Sequence, residues 1–268
     1  MLRGSAGSKV KLSVFRSSRT KPLELELTRN LDASAPVESR MLDRNIGLLD
    51  ISSLKDSTVE QARIKLKTLI SAGAEKLVLD LRNCAEGSAA QGGEIANFFL
   101  RDGLIYYSKN RQGEKIQEVK ADPGKFITDL PMVVLINGST AGGAEIIAGA
   151  LKDQKRAQII GERSFGIGSS QKQIQLKSGD VIILTVAKYC TPSGEVIQEE
   201  DSIRDTGIKP NIQSPDEDKR QDLAVESYYD SQDDTSKYKQ LLEKISKIQL
   251  DKAIEVLSKE PEQQKKAA

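Results

Sequence analysis

The sequence predicts an α/β protein with a layered core, because short apolar runs alternate along the chain with helix-like patterns. Ile46–Ile51, Leu77–Leu81 and Met132–Ile136 are runs of strand length. They are nearly continuous in apolar residues, as in strands that are covered on both faces. A chain of 268 residues has room for one large domain with appendages.

The first predicted helix lies between the first two of these strands. Its apolar residues recur at helical spacing from Val59 to Ile70. Ser57 followed by Glu60 predicts a capping box at its start, and Gly73 stands where a C-terminal cap belongs.

The same reasoning places two more helices and the remaining strands. A second helix is expected to hold Ile95, Phe98, Phe99 and Leu100, and a third to begin near Gly142 and carry Ile146, Ile147 and Leu151. Further strands are expected at Leu104–Tyr107, at Ile159–Ile160 and at Val181–Val186, the last two closing the sheet.

The two ends of the chain differ from this core. Alternating apolar residues over 9–29 predict a β-hairpin, and residues 31–44 are polar enough for a linker between segment 1–30 and a core of 45–215. Residues 216–237 are acid-rich and predict a solvated linker. Residues 238–260 predict one amphipathic helix or two short ones, packed on the domain by the apolar face.

Composition excludes several classes of function. The net charge is only +1, which provides no basic field for nucleic acid. The chain has no histidine, so Ser-His-Asp catalysis and imidazole metal sites are excluded, and we expect neither a metal nor a cofactor. Cys84 and Cys190 are expected to be inert buried thiols, with one disulfide as the alternative.

No apolar run is long enough to span a membrane. No signal peptide is visible at the start, since Met1–Ser5 leads directly into a strand pattern. We therefore expect the chain to begin inside a longer protein.

Several motifs follow one another in the second half of the chain. They are Asn137–Ile146, Gly161–Gln171, Ala187-Lys188-Tyr189, Thr191–Gly194 and Gly207–Ile212. In this order and spacing they resemble the C-terminal processing peptidases, or tail-specific proteases, which are serine–lysine peptidases. The resemblance implies a crotonase-like ββα superhelix for the core. It also implies that segment 1–30 is the closing part of a PDZ domain, and that the location is the cell envelope or periplasm.

The resemblance also assigns the reactive positions. The family's nucleophile loop aligns without a gap over Asn137–Ile146, which places Gly142 in the serine slot. The family's lysine slot is Ile167, and the glutamine thought to orient that lysine is Gln171. Glycine has no side chain to attack with, and isoleucine cannot accept a proton.

Other parts of the catalytic machinery are expected to remain. Gly87 and Gly143 match positions whose backbone N–H groups stabilise the oxyanion, although Glu86 places a carboxylate beside them. Ser139 or Thr140 with Lys172 is the fallback nucleophile and base. The structural alternatives are helix capping for Ser139 and Thr140, and a solvated strand position for Lys172.

We therefore expect a catalytically degenerate member of the family that binds extended peptides or protein C-termini. The alternative is an active serine-type endopeptidase that uses the relocated Ser/Thr–Lys pair. A third hypothesis is a crotonase-like acyl-group enzyme, for which no coenzyme A site is visible. The sequence does not indicate an oligomeric state.

Overall fold

The computed structural model describes residues 4–5, 7–15, 21–29, 35–55, 57–198, 206–213 and 235–259, with side chains of the last segment from residue 243 onward. The chain divides into two compact units, Met1–Ala35 and Pro36–Ala268. The first unit contains the expected hairpin, in which β1 (Lys9–Val14) pairs antiparallel with β2 (Leu23–Thr28).

The second unit is built on a six-stranded sheet. Its strands are β3 (Val37–Leu42), β4 (Ile46–Ile51), β5 (Lys76–Asp80), β8 (Met132–Ile136), β9 (Gln158–Gly161) and β12 (Ile212–Gln213). Their order is β12-β9-β8-β5-β4-β3, and only the β3–β4 pair is antiparallel. Helices α1 (Thr58–Ser71), α2 (Ala89–Ala96) and α3 (Gly143–Asp153) lie along the chain between the parallel strands. This arrangement confirms the predicted α/β class.

Both faces of this sheet are buried, as the apolar runs predicted. In β8, Val134 and Ile136 belong to the larger core cluster, which includes residues of α1, α2 and α3. Val133 and Leu135 point to the other face, where Ala253 and Leu257 of α4 (Thr235–Lys259) pack. The C-terminal segment is therefore one helix packed on the core, as its apolar face predicted. Residues 216–234 of the expected acidic linker lie outside the described residues, and 235–237 belong to α4.

A second sheet has four antiparallel strands in the order β10-β11-β6-β7. They are β6 (Leu104–Lys109), β7 (Lys115–Lys120), β10 (Ser169–Gln175) and β11 (Val181–Cys190). The expectation that Val181–Val186 closes the parallel sheet was wrong, because this segment pairs with β10 instead. Its large apolar side chains are exposed.

Three local predictions also need correction. Residues 37–42 of the expected linker form β3, paired along its length with β4. Ser57 makes no side-chain cap, because its hydroxyl oxygen accepts from the Gln61 side-chain amide instead. The buried Thr58 hydroxyl stabilises the turn before α1, where it accepts from the Lys55 N–H and donates to the Ser53 carbonyl. Helix α2 ends at Ala96, so Phe98, Phe99 and Leu100 follow it in a turn, where all three are buried.

The expectations for the C-terminal cap of α1 and for the cysteines are confirmed. Gly73 follows the C-cap of α1 with φ +91°, and its N–H donates to the Ile70 carbonyl at 3.0 Å. Cys84 and Cys190 form no disulfide, and both are buried. Burial raises the pKa of Cys84 to about 12, so this thiol stays protonated and unreactive at neutral pH. In the described part of the chain, no helix is long and apolar enough to cross a membrane.

Candidate active site and peptide edge

The loop after β8 carries the nucleophile slot, and Asn137 fixes its start. The Asn137 Oδ1 accepts from the N–H groups of Asn83 and Ser139, at 3.0 and 3.1 Å. Its amide donates in return to the Asn83 Oδ1 at 2.9 Å. These bonds join the loop to the segment that follows β5, so the two motif regions meet at the carboxyl ends of neighbouring strands.

Thr140 closes the same loop from inside. Its fully buried hydroxyl accepts from the Asn137 N–H at 3.0 Å and donates to the Leu81 carbonyl at 2.9 Å. Thr140 does not cap α3, so the capping expectation was wrong for this residue. A hydroxyl held by these two bonds is not free to attack a substrate. Ser139 is exposed on the outside of the turn.

Gly142 is the N-cap residue of α3 and has an unusual backbone. Its φ of 60° and ψ of −120° are accessible to glycine at little cost but strain any residue that carries a Cβ. A Cβ built there would lie 3.2 Å from the Gly87 carbonyl oxygen, which is a tight contact. The serine slot is therefore a sharp turn of the chain at a helix N-terminus, with glycine relieving the strain.

Glu145 connects the two reactive slots. Its Oε2 accepts from the Gly142 N–H at 3.0 Å and from the Ile167 N–H at 2.8 Å. The two nitrogens share one acceptor atom and are therefore at most about 5.8 Å apart. The structure thus brings together the two positions that the sequence singled out, which lie on different loops.

The other oxygen of Glu145 anchors the rest of the second loop. Oε1 accepts from the Gly166 N–H at 2.7 Å and from the Ser164 hydroxyl at 2.5 Å. The Ser164 oxygen accepts in turn from the Ile208 N–H at 2.6 Å. Burial raises the pKa of Glu145, and its four hydrogen-bond donors act in the opposite direction by stabilising the carboxylate.

Apolar surface stands where the family places its base. Ile167 is 47% exposed and the neighbouring Phe165 is 60% exposed. A lysine acts as a base when burial lowers its pKa, and a half-exposed position provides little desolvation. Ile167 therefore provides neither an amine nor the buried environment that an amine base requires.

The two glycines expected to stabilise an oxyanion do meet, but in an unexpected orientation. The Gly143 N–H points at the Gly87 carbonyl oxygen at 3.4 Å. A Cβ on Gly143 would lie only 2.5 Å from the Ser88 carbonyl oxygen, so the loop packs directly on this backbone. In this geometry the Gly143 N–H faces an acceptor of the protein itself. The oxyanion role of the pair stays a prediction.

Glu86 lies beside this pair, with its side chain turned toward the end of β4. Its Oε2 accepts from the Ser53 hydroxyl at 2.9 Å, and its backbone carbonyl accepts from the Leu54 N–H. The residue is exposed.

Gln171 and Lys172 are neighbours on β10 and are both exposed. Gln171 lies opposite Thr185 and Lys172 opposite Leu184, so their side chains point to opposite faces of the hairpin. The interpretation of Lys172 as a solvated strand residue is confirmed. Its exposure also deprives the fallback pair of the desolvated amine that it needs.

A charged cluster behind the site was not assigned a role by the sequence. Arg82 binds the buried Asp80 through Nε and Nη2, with contacts of 2.5 to 3.1 Å. Its Nη1 donates to the Ser246 carbonyl and to the Gln249 Oε1, which attaches α4 to the site loop. Asp50 lies opposite Asp80 in the sheet register, and burial together with the Asp80 charge raises its pKa to about 6. Asp50 and Asp80 lie within two of the predicted strands, and Glu145 lies within the nucleophile-loop motif, which was the available signal.

A largely parallel sheet with its loops converging on a helix N-terminus, and glycine turns beside it, is consistent with the α/β peptidase core that the resemblance predicted. Comparison with known proteins defines the family: residues 45–214 match the model of peptidase family S41. The chain belongs to this family, which consists of serine-type peptidases, as the resemblance to C-terminal processing peptidases predicted.

Similarity to individual proteins of this family supports the assignment. The chain is 36% identical over 214 residues to the carboxyl-terminal-processing protease of Synechocystis, a match that covers 78% of this chain and 48% of that protein. Identity to the carboxy-terminal processing protease CtpA of Bacillus subtilis is 34% over 236 residues, covering 87% and 49%. The chain thus spans about half the length of these relatives.

Solved structures support the fold. The photosystem II D1 C-terminal processing protease superposes with a TM-score of 0.63 at 29% identity, over 78% of this chain and 56% of that chain. Mature CPAF superposes with a TM-score of 0.52 at 16% identity, over 74% and 55%. At that identity the likeness shows the fold alone.

Proposed function

We propose that this protein binds extended peptides or protein C-termini by strand addition and does not cleave them. The observation that carries the proposal is the position of β10. This strand begins two residues after Ile167, on the loop that Glu145 fixes beside Gly142. Among the described strands, β10 is the edge of its sheet, and only β11 pairs with it.

The absence of cleavage rests on the two slots. Covalent catalysis by this family's chemistry needs a hydroxyl and a neutral amine at adjacent positions. At these positions the chain has Gly142, whose side chain is a hydrogen atom, and Ile167, whose side chain is a hydrocarbon. Groups that act as a unit lose orders of magnitude in rate when either is removed. Binding needs neither group, so peptide binding can persist after the chemistry is lost.

The edge itself has the properties of a peptide-binding strand. An exposed edge presents unpaired backbone groups that a second strand can fill. Lys172 is the only charged residue between Ser169 and Gln175, so the edge carries little of the charge that prevents pairing. A glutamine row of Gln171, Gln173 and Gln175 lies on one face of the strand.

Exposed apolar side chains flank the edge on both faces of the hairpin. Val181 and Ile183 lie on the glutamine face, opposite Gln175 and Gln173, and Ile182 and Leu184 lie on the other. Contiguous exposed apolar surface marks interaction sites. An added strand that alternates uncharged polar and apolar residues would match this surface.

The test is a binding experiment with an unstructured peptide of that pattern ending in a free carboxylate. We expect saturable binding, with slower hydrogen exchange at β10 amides and unchanged exchange at β7, the opposite edge of the same sheet. A peptide N-methylated at every residue of its extended segment is the matched control, because neither of its sides can donate to the edge. Binding that survives this N-methylation, or protection at β7 instead of β10, would exclude strand addition at this edge.

Two further parts of the proposal concern the whole protein. The hairpin of residues 9–29 is proposed as the closing part of a PDZ domain, which the structure of a longer chain would test. The natural location is proposed to be the cell envelope or periplasm, as the resemblance to C-terminal processing peptidases implies. Fractionation of the source organism with an antibody to the protein would test it: a purely cytosolic signal contradicts the proposal.

A further inference from the structure

We propose that Glu145 is the positioning residue of the peptide-binding edge: it holds the start of β10 in place by binding the loop before it. The inference rests on the proposed function for its consequence on binding, but its effect on the loop can be measured without any peptide. The role is separate from cleavage, because it uses backbone N–H groups and neither of the lost side chains.

The first step is the burial of the carboxylate. The Glu145 side chain is fully buried, and a buried charge is tolerated when hydrogen bonds replace its hydration. Three backbone N–H groups and one hydroxyl provide that replacement. Each carboxylate oxygen accepts two of the four bonds. All four donors belong to the segments that Glu145 joins.

The second step is which segments these are. One donor belongs to the start of α3, at Gly142, and the other three belong to the loop Ser164–Ile167. Through the Ser164 hydroxyl the network also reaches the Ile208 N–H. A single side chain on α3 thus ties three separate segments, and α3 is packed in the main core.

The third step is what else holds the loop. The N–H groups of Ser164 and Phe165 bind the carbonyls of Ile208 and Thr140, so the first half of the loop has backbone anchors of its own. The N–H groups of Gly166 and Ile167 instead donate to Glu145. Gly168, the last residue before β10, has anchors of its own: its N–H donates to the Gln198 Oε1 at 3.3 Å, and its carbonyl accepts from the Tyr189 N–H at 2.7 Å. Weakening Glu145 should therefore release Gly166 and Ile167.

The fourth step is the chemical requirement for a carboxylate. Glutamine has the same shape, but its NH₂ group would stand where two N–H donors now point. It would leave those donors unsatisfied and replace charge-assisted bonds with weaker neutral ones. Glu145→Gln is therefore a conservative change that removes the proposed function of the residue without creating a cavity.

The experiment measures amide exchange and chemical shift by NMR in wild type and Glu145→Gln. We expect the amide protons of Gly166 and Ile167 to exchange at least about tenfold faster in the variant, and to lose the downfield shift of a bond to a carboxylate. Core amides such as that of Val134 should keep their exchange rates relative to global unfolding. Peptide affinity should fall by about tenfold or more. The protection from hydrogen exchange that bound peptide gives should decrease at the β10 amides only.

Two other variants make the result decisive. Glu86→Gln changes an exposed carboxylate in the neighbouring loop and should leave the Gly166 and Ile167 amides unchanged. If Glu145→Gln does not fold, Ser164→Ala keeps the carboxylate and removes one of its four donors; it should speed exchange at Gly166 and Ile167 by a smaller, several-fold factor.

Unchanged exchange at Gly166 and Ile167 in a folded Glu145→Gln protein would overturn the inference. Faster exchange with unaltered peptide affinity would also overturn it, because the loop would then not set the edge. If wild type binds no peptide, the proposed function fails, while the amide measurement still decides whether Glu145 holds the loop.

Discussion

Restoring a serine at the nucleophile slot should destabilise the protein, and the structure gives the size of the effect. Gly142 has φ 60° and ψ −120°, a conformation that costs a residue with a Cβ about 1–2 kcal/mol. The new Cβ would also lie 3.2 Å from the Gly87 carbonyl oxygen, which can move slightly because Gly87 is exposed. We expect Gly142→Ser to lower the free energy of unfolding by about 1–3 kcal/mol.

Two matched variants separate strain from contact, with urea unfolding followed by circular dichroism as the assay. Gly73→Ser introduces a Cβ at φ +91° with nothing within 4 Å, and should show the strain alone, about 1–2 kcal/mol. Gly143→Ala has an ordinary φ but meets the Ser88 carbonyl at 2.5 Å and the Leu54 Cδ1 at 2.6 Å. Overpacking of this kind costs about 1–3 kcal/mol or more, so this variant should be the least stable of the three.

The reasoning would be refuted if Gly142→Ser unfolds at the same urea concentration as wild type. It would also be refuted if Gly143→Ala is the most stable of the three. Either result would mean that the turn before α3 does not have the strained and tightly packed geometry described here.

Further predictions concern the charges, thiols and lost groups of the site. Asp50 has a raised pKa of about 6, so its contribution to stability is present below its ordinary pKa of 3.8 and is lost as the pH rises through 6. Asp50→Asn should therefore be more stable than wild type by about 2 kcal/mol at pH 7, after allowance for its partial exposure. This advantage should disappear at about pH 3, below the ordinary pKa, in urea titrations; an equal advantage at both pH values would contradict the assignment. Cys84 should resist iodoacetamide in the native protein at pH 8 and react only after unfolding, as mass spectrometry of its tryptic peptide would show; rapid native labelling would contradict a buried thiol with a pKa of about 12. A fluorophosphonate probe should not label Ser139, and a label that disappears in Ser139→Ala would support the relocated nucleophile. The pair Gly142→Ser with Ile167→Lys should show little cleavage of a tail peptide at pH 7, because the new lysine would be half exposed and protonated; rates should increase toward pH 10, and full activity at pH 7 would mean that the slot is desolvated.

Patterns that depend on burial were predicted well from the sequence. Met132–Ile136 was predicted as a strand with its observed bounds, because a run covered on both faces has no polar residue to obscure its limits. The six residues of β3 were missed, since this strand lies at the edge of its sheet and a run of three polar residues interrupts its apolar ones. The sheet of β11 was misassigned for a related reason: its apolar run indicated burial, whereas the strand is exposed over most of its length.

The site was predicted at the level of positions but not of hydrogen bonds. Alignment of motifs identified Gly142 and Ile167, and the structure brings them together. Glu145 lies within the aligned nucleophile loop, yet three of its four donors are backbone groups that no side-chain pattern can reveal. The Gly87 carbonyl points toward the Gly143 N–H because of the local backbone angles. Glycine can adopt so many backbone angles that this orientation could not be predicted from the residue types.

The most direct test is one incubation in which an unstructured tail peptide is held at saturating concentration with the purified protein. Binding is followed by fluorescence anisotropy and the peptide is then analysed by mass spectrometry. We predict that the peptide is bound and recovered intact after many hours, with its original carboxyl terminus. A shortened peptide, produced in excess over the protein and co-purifying with it through two unrelated chromatographic steps, would show that the chain hydrolyses peptide bonds without a serine at residue 142 or a lysine at residue 167.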